Sequence, residues 1–389
     1  MIPADHLPPA ALLPVAPAYG TGSLADLLPS VCAVLGVPDT ADVLALAGPL
    51  DGVDRVAVLL VDGLGAYQLP VAAPYAPVLA GLAAGSRTLT AGFPSTTPVS
   101  LVTVGTGVRP GTHGVLGFTT RMPDGRVLNH IQWSDDPDPR RWQPVPTRFE
   151  QATAAGLRVT VVSRPEYAGS GLSVSANRGA VFRGAANGPE LAARMLAALA
   201  EGPGLVYGYH PDLDKYGHED GVDSATWRDA AAGVDDLLDR LTSGLPPRSA
   251  LLVVADHGQL NVPLEGRFDI GLRPELREGV AVIAGEPRVR YLHPVPGATD
   301  DVLAAWRSVL GDRAWVLPRD EAVGQGLFGP VPAEHLDRIG GVVVICRDRA
   351  VVLAGGVEPP SVGRLIAYHG STTAAEMMIP LLIYVRGSG

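Results

Sequence analysis

Lysine is almost absent from this sequence: Lys215 is the only one in 389 residues, and arginine supplies the rest of the positive charge. Cysteine is nearly as scarce. Cys32 and Cys346 are too few for a disulfide framework and match no zinc-ligand spacing, so both are expected to be plain thiols in the core or at the surface. No run of about 18 apolar residues is free of Gly, Pro or charge. The 47% hydrophobic content therefore belongs to a folded interior, and no membrane association is expected. No positively charged residue precedes Arg55, so the basic segment of a secretory signal is missing and a cytoplasmic location is expected. There is no basic cluster either, and the net charge of −10 excludes a general affinity for a nucleic-acid polymer. A small phosphate substrate stays open, because bound cations are often the largest local charges in a site. Oligomeric state is not legible.

The length allows two average domains or one α/β domain with an insertion. Residues 1–22 are rich in Pro and Ala without periodicity and read as an extended arm, after which Ser23 can cap a helix to about Leu35, ended by Gly36. Arg55 to Val61 is a continuous aliphatic run, the pattern of a strand buried on both faces of a parallel sheet. It recurs at Arg158–Val162, Leu205–Tyr209 and Leu251–Ala255, separated by Ala-rich stretches with helical spacing such as Pro189–Ala200. Strands alternating with helices imply a doubly wound α/β sandwich. From about Asn261 to Pro360 the rhythm breaks into short strands near Ala281, Arg288–Leu292 and Val342–Ile345 and a helix at Thr299–Leu310. The expected organisation is an arm and helix over 1–50, a core over 51–260 and 361–389, and an inserted α+β cap over 261–360. Residues 117–150, with Trp133 and Trp142 among Pro and Asp steps, read as a long surface excursion.

Polar residues directly follow the apolar runs: Asp62 after the first, Asp214 and His218 after the third, Asp256-His257 after the fourth. In an open parallel sheet the carboxyl ends of the strands form one rim, where ligands bind. His369 lies beside a last apolar segment that can return to that rim. Three carboxylates and three imidazoles suit divalent metals and divide into two three-ligand sites, each with the open position of a catalytic metal. Asp212 is an alternative to Asp214. His113 reads as a turn histidine, His210 as at most a support to the ligands, and Lys215 as a solvated side chain.

Val61-Asp62-Gly63, Phe93-Pro94-Ser95-Thr96-Thr97-Pro98, Thr106-Gly107 with Pro110 and His113-Gly114, Asp214 to His218, Asp256-His257-Gly258 and His369-Gly370 stand in a familiar order. Over roughly residues 55–385 the sequence resembles the type I phosphodiesterases and nucleotide pyrophosphatases of the alkaline phosphatase superfamily. The resemblance implies an alkaline-phosphatase-like α/β/α sandwich and two divalent metal ions, zinc with manganese as the alternative. It places Asp214, His218 and His369 on one metal, Asp62, Asp256 and His257 on the other, and a threonine nucleophile, Thr97, between them. Thr97 is preferred to Thr96 because the family's nucleophile lies nine residues before the threonine of the Thr-Gly pair, here Thr106. Thr97 is also expected to sit at a helix N-cap ahead of Pro98.

The implied activity is phosphodiester cleavage through a phosphothreonine, with a phosphomonoesterase or phosphonate hydrolase on the same metals as the alternative. A catalytically dead binding homologue would be expected to lose a ligand or the hydroxyl, and none is lost. One departure stands out. The family carries an asparagine that binds the phosphoryl oxygen shortly after His-Gly, where this sequence reads Val115-Leu116-Gly117-Phe118; a backbone amide or Lys215 would have to supply that hydrogen bond.

Overall fold

The computed structural model describes residues 7–387. Its central sheet has seven strands: β1 (Arg55–Val61), β2 (Arg87–Thr90), β3 (Arg158–Ser163), β4 (Val181–Gly184), β5 (Gly204–His210), β6 (Ser249–Val254) and β7 (Met378–Arg386). They lie in the order β2-β7-β6-β1-β5-β3-β4. β1 pairs in parallel with β5 and β6, β3 in parallel with β5 and β4, and β7 runs antiparallel between β6 and β2. The aliphatic run of the middle strand, β1, has no polar interruption, and every residue from Val56 to Val61 is buried. Truncating Leu59 or Leu60 to Ala there costs about 2–5 kcal/mol. The short edge strand β2, Arg-Thr-Leu-Thr, is half exposed and gives no comparable signal.

Helices α1 (Leu27–Val34), α2 (Thr97–Thr106), α3 (Gly188–Ala200), α4 (Asp212–Asp220) and α5 (Ala225–Gly244) follow or precede these strands. In α5 the buried residues Trp227, Ala230, Ala231, Val234, Leu237, Leu238 and Leu241 recur at the three- and four-residue spacing of one helix face. α3 starts where the Asn187 side chain accepts from Glu190 N–H and packs against α5. The result is an α/β/α sandwich around a mainly parallel sheet, as the strand and helix pattern predicts. Ser23 precedes α1 through a single 3-10 turn and is bound with Asp26, whose Oδ2 accepts from Ser23 N at 2.8 Å and Oγ at 2.9 Å.

Within residues 261–360 lies a second, antiparallel sheet of strands Val280–Glu286, Val289–Pro294, Val342–Cys346 and Ala314–Pro318, in that order. Helix α6 (Thr299–Leu310) packs on it through Val302, Leu303, Trp306 and Leu310. A fully buried ion pair joins it to the main body: Arg288 Nε and Nη2 donate to Glu376 at 2.9 and 2.6 Å, and neither side chain reaches solvent. The stretch 117–150 departs from the expected surface excursion. Trp133 and Trp142 are buried in one cluster with Val102 of α2 and Val115, and Trp142 Nε1 donates to His130 Nε2 at 3.2 Å. The Pro and Asp steps turn the chain, while the two indoles between them cover α2. The arm lies along the segment after His369, where Val15 N donates to Thr372 O at 2.7 Å and Leu13 O accepts from Ala374 N at 2.8 Å. Both cysteines are buried and free.

Candidate active site

Asp62 leaves β1 into a turn that depends on glycine. Gly63 has φ of +74°, and a Cβ on it would fall 2.9 Å from the Asp214 Cα, so the β1 turn and the start of α4 meet only because no side chain intervenes. α4 begins two residues after β5 and carries Asp214 and His218 one turn apart. Asp256 and His257 follow β6. His369 is brought in by a two-residue strand, Ala367–Tyr368, that pairs antiparallel with Leu260–Asn261. All six residues therefore reach one rim, and Thr97 faces them from the first turn of α2. α2 starts one residue earlier than expected: Thr96, with extended backbone, holds the cap position and Thr97 is the first helical residue. Pro98 then occupies the second position, where its missing N–H costs no hydrogen bond.

Two groups of ligand atoms form. Asp62, Asp256 and His257 have oxygen and nitrogen atoms all within 4.8 Å of one another, as do Asp214, His257 and His369. His218 Nε2 joins the second group, 3.4 Å from Asp214 Oδ2 and 3.1 Å from His369 Nε2. His257 and His369 stack with ring centroids 3.6 Å apart, and His257 Nε2 is 3.2 Å from both Asp256 Oδ2 and Thr97 Oγ1.

The surroundings orient these groups. His218 Nδ1 donates to Ala367 O at 2.8 Å, His369 Nδ1 to Ser95 O at 2.9 Å, and His257 Nδ1 to Gly258 O at 3.2 Å. A carbonyl can only accept, so each ring carries a proton on Nδ1 and turns its Nε2 inward. Burial and the neighbouring histidines hold the His369 pKa well below the usual imidazole range. His218 Nε2 and His369 Nε2 face each other across 3.1 Å. The carboxylates carry the opposite problem. Asp62 is held well above the usual carboxylate range, first by burial and then by the charges of Asp256 and Asp214, and burial raises Asp256 too. Asp62 Oδ1 and Asp256 Oδ2 have no hydrogen-bond partner among the described residues. Inward-facing imidazole nitrogens and unpaired buried carboxylate oxygens on one small set of atoms fit divalent cations.

Several supporting residues have no signal in the sequence pattern. Tyr209 donates its hydroxyl to Asp62 Oδ2, and the Gln259 amide donates to Asp214 Oδ1 and, at 3.0 Å, to Asp214 O. Gln259 follows Asp-His-Gly directly, so its position was the one available clue. Asp212, the alternative to Asp214, is instead bound by Arg164 at 2.5 Å and lies 4.0 Å from His210. His113 is fully buried away from the ligands, its Nε2 3.0 Å from Thr103 Oγ1. The cavity over the ligands measures 530 Å³ and is also walled by Phe118, Tyr167, Arg164, Lys215 and Glu286.

A parallel-sheet rim that gathers carboxylates, imidazoles and a helix-terminal threonine has the donor set of a divalent-metal centre. The model of the type I phosphodiesterase / nucleotide pyrophosphatase family matches residues 56–371, and the chain belongs to this family of phosphoric ester hydrolases. No curated protein sequence matches it. Among solved structures it is similar to murine ectonucleotide pyrophosphatase / phosphodiesterase 5, with 17% identity, TM-score 0.67, and 84% of this chain and 87% of that one covered. An inactive threonine-to-alanine variant of that murine enzyme, in complex with AMP, aligns with a TM-score of 0.66 at 17% identity, covering 84% of this chain and 87% of that one. Phosphonoacetate hydrolase from Sinorhizobium meliloti 1021, in complex with phosphonoformate, aligns with 20% identity, TM-score 0.66, and 85% and 89% coverage. No helix among the described residues is long and apolar enough to cross a membrane.

Proposed function

We propose that the protein is a two-metal phosphodiesterase that works through a covalent phosphothreonine on Thr97. The observation that carries this reading is the pair of ligand groups that meet at His257 beside the Thr97 hydroxyl. Asp62, Asp256 and His257 would hold one divalent ion and Asp214, His218 and His369 the other, with Thr97 Oγ1 between them; zinc fits this oxygen and nitrogen set, and manganese is the alternative. When bound, the ions supply positive charge that neutralises the carboxylates and draws phosphoryl oxygens. The chain's own residues do the rest. Tyr209 and Gln259 fix Asp62 and Asp214, the backbone carbonyls fix the three imidazoles, and the first turn of α2 aims Thr97 at phosphorus. Thr97 Oγ1 forms the new P–O bond as one alcohol leaves with the hydroxyl's proton, and water then cleaves the phosphorylated threonine, which still carries the other ester group, to release a phosphomonoester and restore the hydroxyl. The inactive threonine-to-alanine variant of the murine relative supports a threonine in this role.

Residues 261–360 would act as a cap over the rim, lending Glu286 and Pro287 to the cavity. A second reading, a monoesterase or phosphonate hydrolase, has its own support: Arg164 and Lys215 on the cavity wall could hold a second anionic group. The test is a panel of aryl phosphodiesters, monoesters and phosphonates assayed with the metal-saturated protein. The phosphodiesterase reading requires the highest kcat/KM on the diesters, and a clear preference for monoesters or phosphonates would replace it with the second.

A further inference from the structure

β3 ends at Ser163, and Arg164 follows it at the carboxyl rim of the sheet, where Pro165 keeps its backbone out of the helical region. Its Nη2 donates to Asp212 Oδ1 at 2.5 Å. Nε and Nη1 make no hydrogen bond among the described residues, and the side chain is 29% exposed. Asp212 is the first residue of α4 and Lys215 stands three residues on, so the two share one face of that helix and the Arg164 guanidinium comes in beside the lysine. Lys215 is exposed and forms no ion pair among the described residues; its Nζ lies 5.1 Å from the centroid of the Tyr216 ring.

Arg164 and Lys215 are the only arginine and lysine on the wall of the 530 Å³ cavity that holds Thr97 and the ligand groups. The acids on that wall outside the ligand groups do not neutralise them fully. Asp212 engages one guanidinium nitrogen, Glu358 is bidentate on Arg290 with Oε2 2.6 Å from Nη2, Glu286 is buried against Gly370, and Glu166 is exposed, where solvent screens its charge. Two divalent ions would already meet the charge of the phosphoryl group that is transferred. A guanidinium fork and an ammonium left over beside them suit a further carboxylate or phosphate.

Resting on the reading of the protein as a two-metal phosphodiesterase, we propose that Arg164 and Lys215 form a subsite for a second anionic group of the substrate, a carboxylate or a phosphate set beyond the phosphorus that Thr97 attacks. The preferred substrate is then a diester with an acidic arm. Asp212 fixes the guanidinium through Nη2 and leaves Nε and Nη1 to donate. Both cations touch a part of the substrate that does not react, so they hold the ground state and the transition state alike and their contribution falls on KM.

The experiment uses the full, metal-saturated chain and three symmetrical diesters: bis(4-carboxyphenyl), bis(4-phosphonophenyl) and bis(4-carbamoylphenyl) phosphate, the last being the neutral-armed reference. Phenol release is followed by chromatography. Wild type is expected to favour at least one acidic diester over the reference by about tenfold in kcat/KM, through KM, and the acid it favours names the source of the anion. Arg164→Met and Lys215→Met are each expected to reduce that ratio, and the double variant to bring it to about one, with metal content unchanged. No preference in wild type overturns the proposal, and so does a preference that the double variant keeps. If wild type cleaves no diester, the phosphodiesterase reading fails on its own. Calorimetry with 4-carboxyphenylphosphonate and 4-carbamoylphenylphosphonate then decides for the subsite: about tenfold tighter binding of the acid, lost in the double variant, supports it, and equal binding overturns it.

Discussion

Replacing Thr97 by Ala removes one hydroxyl and one methyl group at the first residue of α2, from a side chain that is 9% exposed. Among the described residues the hydroxyl's one hydrogen-bonding neighbour is His257 Nε2 at 3.2 Å, so the loss to folding is about 1 kcal/mol, small against the roughly 5–15 kcal/mol that holds a typical domain together. The chemical loss is of another size. Without Oγ1 no covalent intermediate can form, and water must attack phosphorus from a position that nothing in the chain holds. A fall in kcat of at least about a thousandfold is expected, equivalent to about 4 kcal/mol in the barrier. Thr97→Ser keeps the oxygen and should stay within about tenfold. Thr96 is the internal control: its buried hydroxyl has no closed hydrogen bond, and Thr96→Ala should cost tenfold or less. Steady-state kinetics on an aryl diester at matched metal content, with acid-trapped phosphoenzyme mapped by mass spectrometry, reads all three. Near wild-type turnover in Thr97→Ala, or a phosphate trapped on Thr96, would refute the register.

His257→Ala and His369→Ala should each remove most activity and lower metal content with the fold intact, whereas His113→Ala, which loses a contact to Thr103, should cost stability more than turnover; equal losses of activity at unchanged metal content would show His113 to be chemical. Metal-stripped Glu286→Gln should be more stable than metal-stripped wild type, because the folded pKa of about 8 lies above the unfolded value of roughly 4.3. With the pKa raised, wild-type stability falls as pH rises between those two values, so the advantage of the Gln variant should grow by about 1.4 kcal/mol per pH unit and level off above pH 8. Urea denaturation at several pH values reads this, and a pH-independent difference would contradict the buried, cation-free environment. Asp214→Asn should impair activity far more than Asp212→Asn, since Asp212 is engaged by Arg164; the reverse order in kcat would exchange their roles.

What could be read beforehand follows from cost. A carboxylate or imidazole at the end of a fully apolar strand is expensive without a purpose, so Asp62, Asp256 and His257 stood out, and β1 declared itself because both its faces are covered. The groups around the ligands did not. Tyr209 is one more aromatic residue in a buried strand, and only the register of β5 against β1 brings its hydroxyl to Asp62. Glu286 looks like any polar residue between two short strands; it reaches the cavity wall where the Arg288–Glu376 pair ties the second sheet to the main body, a contact 88 residues apart in the chain. The strand Ala314–Pro318 was missed because it is short and bounded by Arg and Pro, and the tryptophans of 117–150 were misplaced because turn-forming neighbours outweighed them. The helix start at Thr97 differed by one residue, since either of two adjacent threonines satisfies the same cap pattern.

The claim on which the rest depends is that six ligands hold two ions. Purified protein, stripped with chelator, saturated with zinc or manganese and dialysed, should retain two metal ions per chain by elemental analysis and regain diesterase activity in step with occupancy. Retention of one ion or none after saturation would contradict the account.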